Sequence, residues 1–389
     1  MKTVCKLLTI LLTAIVAVPA VRAQIAADSH AAPAAGSIFK VVKTPNGHAF
    51  PFQNDLHSVS ASSASDIWAV GQTSIHFDGS KWTAFSVPDI HGDNTSRLGG
   101  VVDFAPNNVW TVGIINIGLG NTNQVIEHFD GTKWSIAPGP KFQPGDEPSL
   151  ESVTALSPSD MWAAGFILTN GGQSLFPLFE HYDGTAWTIF ETAFSDATIF
   201  GVSADASNDV WAVGSIAESA TFVEHYDGST WTVVPSPNPG FGFNILFGVV
   251  ALAPNNVWAA GYFTEQVNST RPAKTLIEHW DGTSWKIVPS PNVGPHSQYQ
   301  TNELWGITAV SANDIWAFGA VFDASGSGQQ STLVLHWNGT SWTIVASPSP
   351  GSGGFRVDIL FGGTVIPTGD LWLVGNEFGS TLAINATGQ

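Results

Sequence analysis

The chain contains very little cysteine and little charge, and each shortage excludes classes of protein. Its one cysteine among 389 residues is Cys5, so the rest of the chain can form neither a disulfide nor a cysteine metal site. Charged residues make up 11% of the chain, against about 25% in ordinary soluble domains. Thirteen basic residues face 31 acidic ones, a formal net charge of −18. Because no basic patch is available, we expect neither nucleic acid nor an anionic membrane as a partner.

Glycine, proline and tryptophan are abundant, with 40, 23 and 16 copies. A chain with 43% hydrophobic residues can bury a large core and is not typical of disorder. Low charge combined with many turn-forming and aromatic residues favours short strands joined by turns. The composition therefore predicts an all-β protein.

The first residues have the layout of a secretory signal peptide. Two early lysines precede an apolar run over residues 7–18, and Val21-Arg22-Ala23 offers a small-residue cleavage site. We expect a signal peptide over 1–23, a flexible leader over 24–36, and a secreted or periplasmic protein of bacterial type. Cleavage would leave ten basic residues against 31 acidic ones, a formal charge of −21. No later run approaches 18 apolar residues, so we expect no membrane insertion.

Two landmarks recur along the chain and define an internal repeat. The first is Asp or Asn, any residue, Trp, two residues and Gly. It occurs seven times, at Trp68, Trp110, Trp162, Trp211, Trp258, Trp316 and Trp372. The second is His, an aromatic residue, Asp or Asn, Gly, Ser or Thr, any residue and Trp in most copies. It occurs six times, ending at Trp82, Trp134, Trp187, Trp231, Trp285 and Trp342.

Each repeat is interpreted as four strands, which we name a to d in chain order. In residues 246–294 the four are LFGVVAL, VWAAG, TLIEHW and WKIVPS, with an Asp-Gly hairpin turn before the last. Four-stranded repeats of this length predict a seven-bladed β-propeller over residues 37–389. The expected blades are 56–88, 98–140, 150–192, 199–239, 246–293, 304–350, and 360–389 together with 37–46.

The two chain ends complement each other. The last repeat stops after strand c, whereas FKVVKTPN, residues 39–46, aligns with the strand d text WKIVPSPN of residues 285–292. We therefore predict that the N-terminal strand completes the seventh blade by pairing with residues 382–385, which would close the ring.

The order VWAVG, EHYDGSTW and VVPSPNPG resembles that of kelch and galactose-oxidase-like propellers, over nearly the whole chain after residue 36. The resemblance implies the propeller fold and leaves the activity open. This sequence has one Gly after strand b where kelch repeats have two. The DGTSW turn is also similar to the Asp-box of sialidase-type propellers, but is one residue shorter.

Residues that recur at one position from blade to blade are predicted to be structural, because a catalytic or metal site occurs once. This interpretation covers the strand c histidines, the turn aspartates, the strand c glutamates and the thirteen repeated tryptophans. The histidines are His76, His128, His181, His225, His279 and His336. The aspartates are Asp78, Asp130, Asp183, Asp227 and Asp281, and the glutamates are Glu127, Glu180, Glu224 and Glu278.

Binding is expected where the repeat varies. The b–c and d–a connections differ in length and share one end of the ring, which we call the variable face. The longer ones are 86–97, 138–149, 263–275, 290–303 and 320–332.

Strand a is expected to be innermost, so its first residues should surround the channel mouth. We predict a polar arc and an aromatic arc there, with two arginines nearby. The polar residues are Asp55, His57, Glu151 and Glu303, the aromatic ones are Phe200, Phe247, Trp305 and Phe361, and the arginines are Arg97 and Arg356.

The sequence favours a secreted, non-catalytic binding propeller for a neutral or cationic glycan or a protein, and sets no oligomeric state. The alternative is a carbohydrate-active enzyme at the channel mouth. A glycosidase would draw its carboxyl pair from Asp55, Glu151, Glu303 and Asp358, and a lyase would use His57 or His296 as its base.

Other chemistries are less well supported by the residues. Copper chemistry of the galactose oxidase type needs a cysteine-linked tyrosine, which a chain lacking cysteine after Cys5 cannot form. A sialidase would need three arginines, for which Arg97, Arg271 and Arg356 are the available set. We expect no cofactor; calcium at the acidic segment 89–94 is the weak alternative to a solvated loop.

Overall fold

The computed structural model describes residues 38–47, 54–88, 96–118, 121–190, 192, 194–265, 272–294, 300–323, 329–351 and 357–387. The predicted signal peptide and leader lie outside these ranges. All regular structure within the ranges is β-strand, so they contain no helix of the length and apolarity that a membrane crossing requires.

Twenty-eight strands form seven antiparallel sheets of four, each sheet being one blade of a β-propeller. The first strand, β1 (Phe39–Val42), belongs to the last blade. Blade 1 contains β2 (Leu56–Ser63), β3 (Asp66–Gly71), β4 (Ser74–Phe77) and β5 (Trp82–Phe85). Blade 2 contains β6 (Arg97–Ala105), β7 (Asn108–Gly118), β8 (Asn121–Phe129) and β9 (Trp134–Ile136). Blade 3 contains β10 (Glu147–Ser157), β11 (Asp160–Thr169), β12 (Ser174–Tyr182) and β13 (Trp187–Phe190).

The remaining blades repeat the pattern. Blade 4 contains β14 (Ala197–Ala206), β15 (Asp209–Ile216), β16 (Ala220–Tyr226) and β17 (Trp231–Val233). Blade 5 contains β18 (Asn244–Ala253), β19 (Asn256–Thr264), β20 (Ala273–Trp280) and β21 (Trp285–Ile287). Blade 6 contains β22 (Gln300–Ser311), β23 (Asp314–Asp323), β24 (Gln329–Trp337) and β25 (Trp342–Ile344). Blade 7 contains β26 (Asp358–Val365), β27 (Leu371–Glu377) and β28 (Ser380–Ala386), with β1 outermost. The prediction of seven four-stranded blades is confirmed.

The variable connections are more regular than expected. In the predicted loop 320–332, residues 320–323 belong to β23 and residues 329–332 to β24. The ladder between these strands continues past Gly319 to the pair Asp323 and Gln329. Several loops of the variable face are therefore the outer parts of long b–c hairpins, because backbone pairing continues as long as both strands stay extended.

The ring closes as the sequence predicts. Strand β1 pairs with β28, with Phe39 opposite Ala386 and Val42 opposite Ala383. A side-chain clamp holds the segment that follows: the Thr381 hydroxyl bonds that of Thr44 at 2.8 Å, and the Thr381 amide donates to Asn46 Oδ1 at 3.0 Å. The same clamp holds the Ser-Pro segments after strand d in blades 4, 5 and 6. The N-terminal segment thus replaces the missing strand d both in pairing and in side-chain contacts.

Neighbouring blades are joined through the strand b tryptophans. Each of these seven rings contacts the ring that begins strand d of the next blade, with centroids 5.3 to 6.3 Å apart at interplanar angles of 60 to 89°. In the seventh such contact Phe39 of β1 takes the place of Trp against Trp316. Both tryptophan sets are therefore core residues, as predicted, and edge-to-face packing of this kind stabilises a core beyond the area it buries.

The repeated histidines hold strand b to strand c, which is the structural role expected of them. Each ring lies against the strand b tryptophan of its own blade, with centroids 4.1 to 4.6 Å apart, and His225 stacks on Trp211 at 4.2 Å. Its Nε2 lies 2.7 to 3.0 Å from the Asp or Asn that begins strand b. The turn aspartates accept hydrogen bonds from their own turn, as Asp227 does from the amides of Ser229 and Thr230.

Four carboxyl groups are buried in the body of the ring. Glu127, Glu180, Glu224 and Glu278 occupy one position of strand c in blades 2 to 5, and each is at most 1% exposed. Burial raises the pKa of Glu180 and of Glu224 to about 7, and that of Glu278 to about 8. Glu180, Glu224 and Glu278 are therefore protonated in the folded protein under mildly acidic conditions, since ionising them would place a charge in an apolar environment.

The free energy of unfolding should therefore fall as pH rises. A carboxyl group whose pKa is raised by folding stabilises most below its unfolded value near 4.5, and its contribution disappears as pH passes the folded value. For Glu278, its contribution to the free energy of unfolding falls by an amount on the order of 3 kcal/mol between pH 5 and pH 8. Denaturant unfolding of the parent and of Glu278→Gln at both pH values measures this, and the variant should show a smaller pH dependence. Equal slopes for the two proteins would contradict the assignment.

Candidate functional site

Every strand a contains a β-bulge near its first residues, at the same place in all seven blades. The ladder with strand b skips one residue there: Leu56 pairs with Gly71 and Ser58 with Val70, which leaves His57 as the extra residue. The equivalent extra residues are Gly99, Glu151, Phe200, Phe247, Trp305 and Phe361. A bulge redirects the side chain that it carries, and in this ring the six bulged residues other than Gly99 direct their side chains to the central channel.

The repeated glycine of strand b is what permits the bulge. A Cβ atom added to Gly261 would lie 1.9 Å from the carbonyl oxygen of Ile245, the residue two positions before the bulged Phe247. The corresponding distances in the other six blades are 1.8 to 2.1 Å. No side chain fits at such a distance, so the Gly that follows each Trp in the repeat is required by backbone packing.

The bulged residues surround a cavity of about 220 Å³ at the channel mouth. All seven contribute to its lining, as does Arg97. An apolar cavity of about 150 Å³ is large enough to hold a benzene ring. The channel mouth is therefore large enough for one six-membered ring with its substituents.

One side of the cavity is a continuous row of aromatic rings. Phe200 and Phe247 have centroids 4.9 Å apart, and Trp305 lies 4.4 Å from Phe247. Phe361 contacts Trp305 edge to face at 5.6 Å, and His57 stacks on Phe361 at 5.0 Å and 20°. The row spans blades 4 to 7 and ends on blade 1, which gives the cavity a predominantly apolar wall.

The opposite side is an ion pair that carries no net charge. Arg97 Nη2 donates to both carboxylate oxygens of Glu151, each at 2.8 Å, and the Ser149 hydroxyl donates to Glu151 Oε1 at 2.7 Å. Both groups are mostly buried, with side-chain exposures of 19% for Arg97 and 12% for Glu151. Glu151 is thus already bonded through both oxygens, whereas Arg97 has further N–H groups.

His57 lies between the two sides and is neutral. Burial, reinforced by the positive charge of Arg97, lowers the pKa of the His57 imidazole to about 3. A neutral imidazole offers one N–H donor and one acceptor nitrogen. At physiological pH the cavity therefore contains no uncompensated charge from its described lining residues.

Two residues of the predicted polar arc do not line the cavity. Asp55 accepts a hydrogen bond from Asn376, and burial raises its pKa to about 6 despite that bond. Glu303 is 9% exposed and lies near Tyr262, where its negative charge adds to the effect of burial in raising the pKa of that phenol. The physical reason is the bulge: it interrupts the two-residue alternation of the strand, so residues two positions earlier do not share the direction of the bulged ones. Arg97 stands at that earlier position too, but its long side chain extends to the carboxylate of the bulged Glu151 and so reaches the lining.

Several other predicted residues are placed differently or are not described. Asp358, a carboxyl of the enzyme alternative, is fully buried and accepts hydrogen bonds from the Gly351 amide. Arg271, Arg356, His296 and the acidic segment 89–94 lie outside the described residues. In the described part of the chain, no group of three or more His, Cys, Asp or Glu side chains is arranged to hold a metal ion.

Exposed apolar side chains stand on the variable face around the channel mouth. Phe241, in the connection from blade 4 to blade 5, is 81% exposed. Ile117, Phe176 and Phe378 belong to the b–c hairpins of blades 2, 3 and 7 and are also exposed. Single exposed apolar side chains are common on protein surfaces, so these four residues describe the rim and do not by themselves show a partner.

The fold and the channel-mouth geometry define a seven-bladed β-propeller with one cavity at the mouth of its channel.

No protein-family model and no curated protein matches the sequence. Solved propellers match the structure at low sequence identity. YCF48 bound to D1 peptide shares 16% identity with a TM-score of 0.54, over 92% of this chain and 97% of that one.

Two further solved structures match to a similar degree. The WD40 β-propeller domain of Doa1 has 12% identity and a TM-score of 0.53, covering 90% of this chain and 98% of its own. The extracellular domain of a putative one component system, BT4673 from B. thetaiotaomicron, has 12% identity and a TM-score of 0.56. That match covers 89% of this chain and 39% of the other. Identities this low establish the propeller fold and nothing finer.

The bulge can be tested through its glycine. Gly261→Ala forces a methyl group against the Ile245 carbonyl, so we expect the free energy of unfolding to fall by about 1–3 kcal/mol, as in overpacked cores. The matched control is Gly139→Ala, whose added methyl would meet only the side chains of Gln124 and Ile126 at 3.1 Å or more. Thermal and denaturant unfolding of both variants measures the difference. Equal stability would mean that strand b does not require glycine at the bulge.

Proposed function

We propose that this protein is a non-catalytic binding propeller that receives a polypeptide partner on its variable face, with one partner side chain entering the channel mouth. The observation that carries the proposal is the ring of seven bulges, which directs six side chains into one cavity of single-ring size. The exposed rim residues, Phe241 above all, add apolar surface that a protein partner would cover.

The neighbouring folds and the N-terminal segment add support. One structural neighbour is described as bound to a peptide, and another as an extracellular domain. The signal-peptide layout of residues 1–23 supports a partner outside the cytoplasm. The acidic charge of the chain favours a neutral or cationic partner, because long-range repulsion disfavours anionic polymers.

A polypeptide suits the cavity better than a glycan or a glycosidase substrate does. Sugar recognition needs acceptors for several hydroxyl groups, but Arg97 and Ser149 already use three of the about four acceptor sites of the Glu151 carboxylate. Asp55 and Glu303, which would supply further acceptors, are not part of the lining. A glycosidase needs two available carboxyl groups about 5–10 Å apart, and Glu151 in its ion pair is poorly suited to be one of them.

The test is selection of peptides from a displayed random library on the immobilised protein, followed by titration. We expect Trp305→Ala and Phe247→Ala each to weaken selected peptides at least about tenfold, as hot-spot aromatics do. The control is Val310→Ala, an exposed apolar residue near the a–b turn of blade 6, on the opposite face.

Three outcomes of this experiment would count against the proposal. Peptides that bind both aromatic variants as tightly as the parent would place the site elsewhere. Failure to select any peptide would argue against a polypeptide partner. Saturable binding on a glycan array, lost in Trp305→Ala, would give the cavity to a sugar.

A further inference from the structure

The channel mouth restricts which side chain can enter it. Its aromatic row, from Phe200 through Phe247 and Trp305 to Phe361, requires an apolar face on the ligand. Its volume of about 220 Å³ limits that group to one ring. A flat six-membered ring meets both conditions, because aromatic rings pack favourably face to edge against one another.

The polar side of the cavity has unused hydrogen-bonding capacity. Arg97 bonds Glu151 through Nη2, and its Nη1 and Nε donate to none of the residues that the structure describes. The ring nitrogens of His57 likewise bond none of the described residues, although the ring is stacked on Phe361. One donor group and one neutral donor-acceptor ring therefore line the cavity from adjacent blades.

This pairing matches a single hydroxyl group. A hydroxyl oxygen can accept from an Arg97 N–H group while its proton is donated to the acceptor nitrogen of His57. A carboxylate would meet the charge of Glu151, which lies within the same ion pair. A lysine or arginine side chain would meet the positive charge of Arg97. The polar wall thus favours a neutral ligand group with one oxygen.

The alternatives with more or fewer polar groups fit less well. A hexose ring carries several hydroxyl groups, and those that face the aromatic row would be buried without partners, each at a substantial loss of affinity. A phenylalanine ring would cover Arg97 and His57 without offering either a hydrogen-bond partner. A ring with one hydroxyl group is intermediate in polarity: it has fewer polar groups than a hexose and one more than a phenylalanine ring.

From this geometry we propose that the channel mouth recognises a tyrosine side chain of the polypeptide partner. Its ring lies against Phe247, Trp305 and Phe361, and its phenol oxygen lies between Arg97 and His57. The inference rests on the proposed function, since it assumes that a polypeptide enters the cavity, and it makes His57 a residue that determines specificity.

The experiment compares three small probes on the full protein by calorimetric titration. They are N-acetyl-L-tyrosinamide, N-acetyl-L-phenylalaninamide and methyl α-D-glucopyranoside. We expect the tyrosine amide to bind at least about tenfold more tightly than the phenylalanine amide, because a site that bonds a hydroxyl discriminates against the analogue without it. The glucoside should bind more weakly than either.

Variants at His57 separate recognition from a structural effect. His57→Phe keeps an aromatic ring against Phe361 but removes the hydrogen bond, so the preference for tyrosine should fall to within about threefold. His57→Gln restores a donor and an acceptor and should recover part of it. Trp305→Ala should weaken the binding of both amides. Val310→Ala should leave the binding of both unchanged.

The outcomes also distinguish this inference from the proposed function. Equal affinity for the two amides, or a preference that survives in His57→Phe, overturns the recognition of tyrosine. The proposed function would still stand if library peptides without tyrosine lost affinity in Trp305→Ala. If the glucoside bound and neither amide did, both the recognition of tyrosine and the proposed function would be overturned.

Discussion

The edge-to-face contact between the strand b tryptophan of one blade and the strand d ring of the next holds the propeller together. It occurs at all seven blade boundaries, and β1 supplies Phe39 for the one that would otherwise be open. Replacing a buried tryptophan by alanine in a core typically costs about 3–5 kcal/mol, so seven such contacts are a large share of the stability. Closure by the N-terminal strand follows from them, because an unclosed ring would expose Trp316.

A rigid ring makes the inner strands suitable for carrying irregular backbone. Each strand a can bulge because the glycine opposite it leaves room for a carbonyl group, as Gly261 does for Ile245. The repeat thus builds a ring of seven inward positions while the identity of each residue stays free. Four consecutive positions carry aromatic rings, from Phe200 to Phe361, and one carries Glu151. The same scaffold could recognise other ligands through substitutions at these seven positions alone.

Much of the fold could be read from the sequence, because the repeat displays it seven times over. The alignment of residues 39–46 with residues 285–292 predicted both the strand pairing and the missing part of the seventh blade. The structural role of the repeated histidines followed from their number. The sequence also located the inward positions from His57 to Phe361, since they share one offset in the repeat. The bulge itself was not predicted, although it leaves a trace in the sequence: the buried apolar residues on either side of it, such as Leu56 and Val59, are three residues apart instead of two. Asp55 and Glu303 were therefore expected in a lining that they do not join.

The central claim is that a ligand enters the channel mouth, and the most direct test is fluorine NMR of the protein labelled with 5-fluorotryptophan. Of the 16 tryptophans, Trp305 alone among the described residues lines the cavity. Its signal is assigned by Trp305→Phe, and N-acetyl-L-tyrosinamide is then titrated. We predict that the Trp305 signal shifts saturably while those of the blade-boundary tryptophans stay in place. A saturable shift of other signals with Trp305 unmoved would contradict the account.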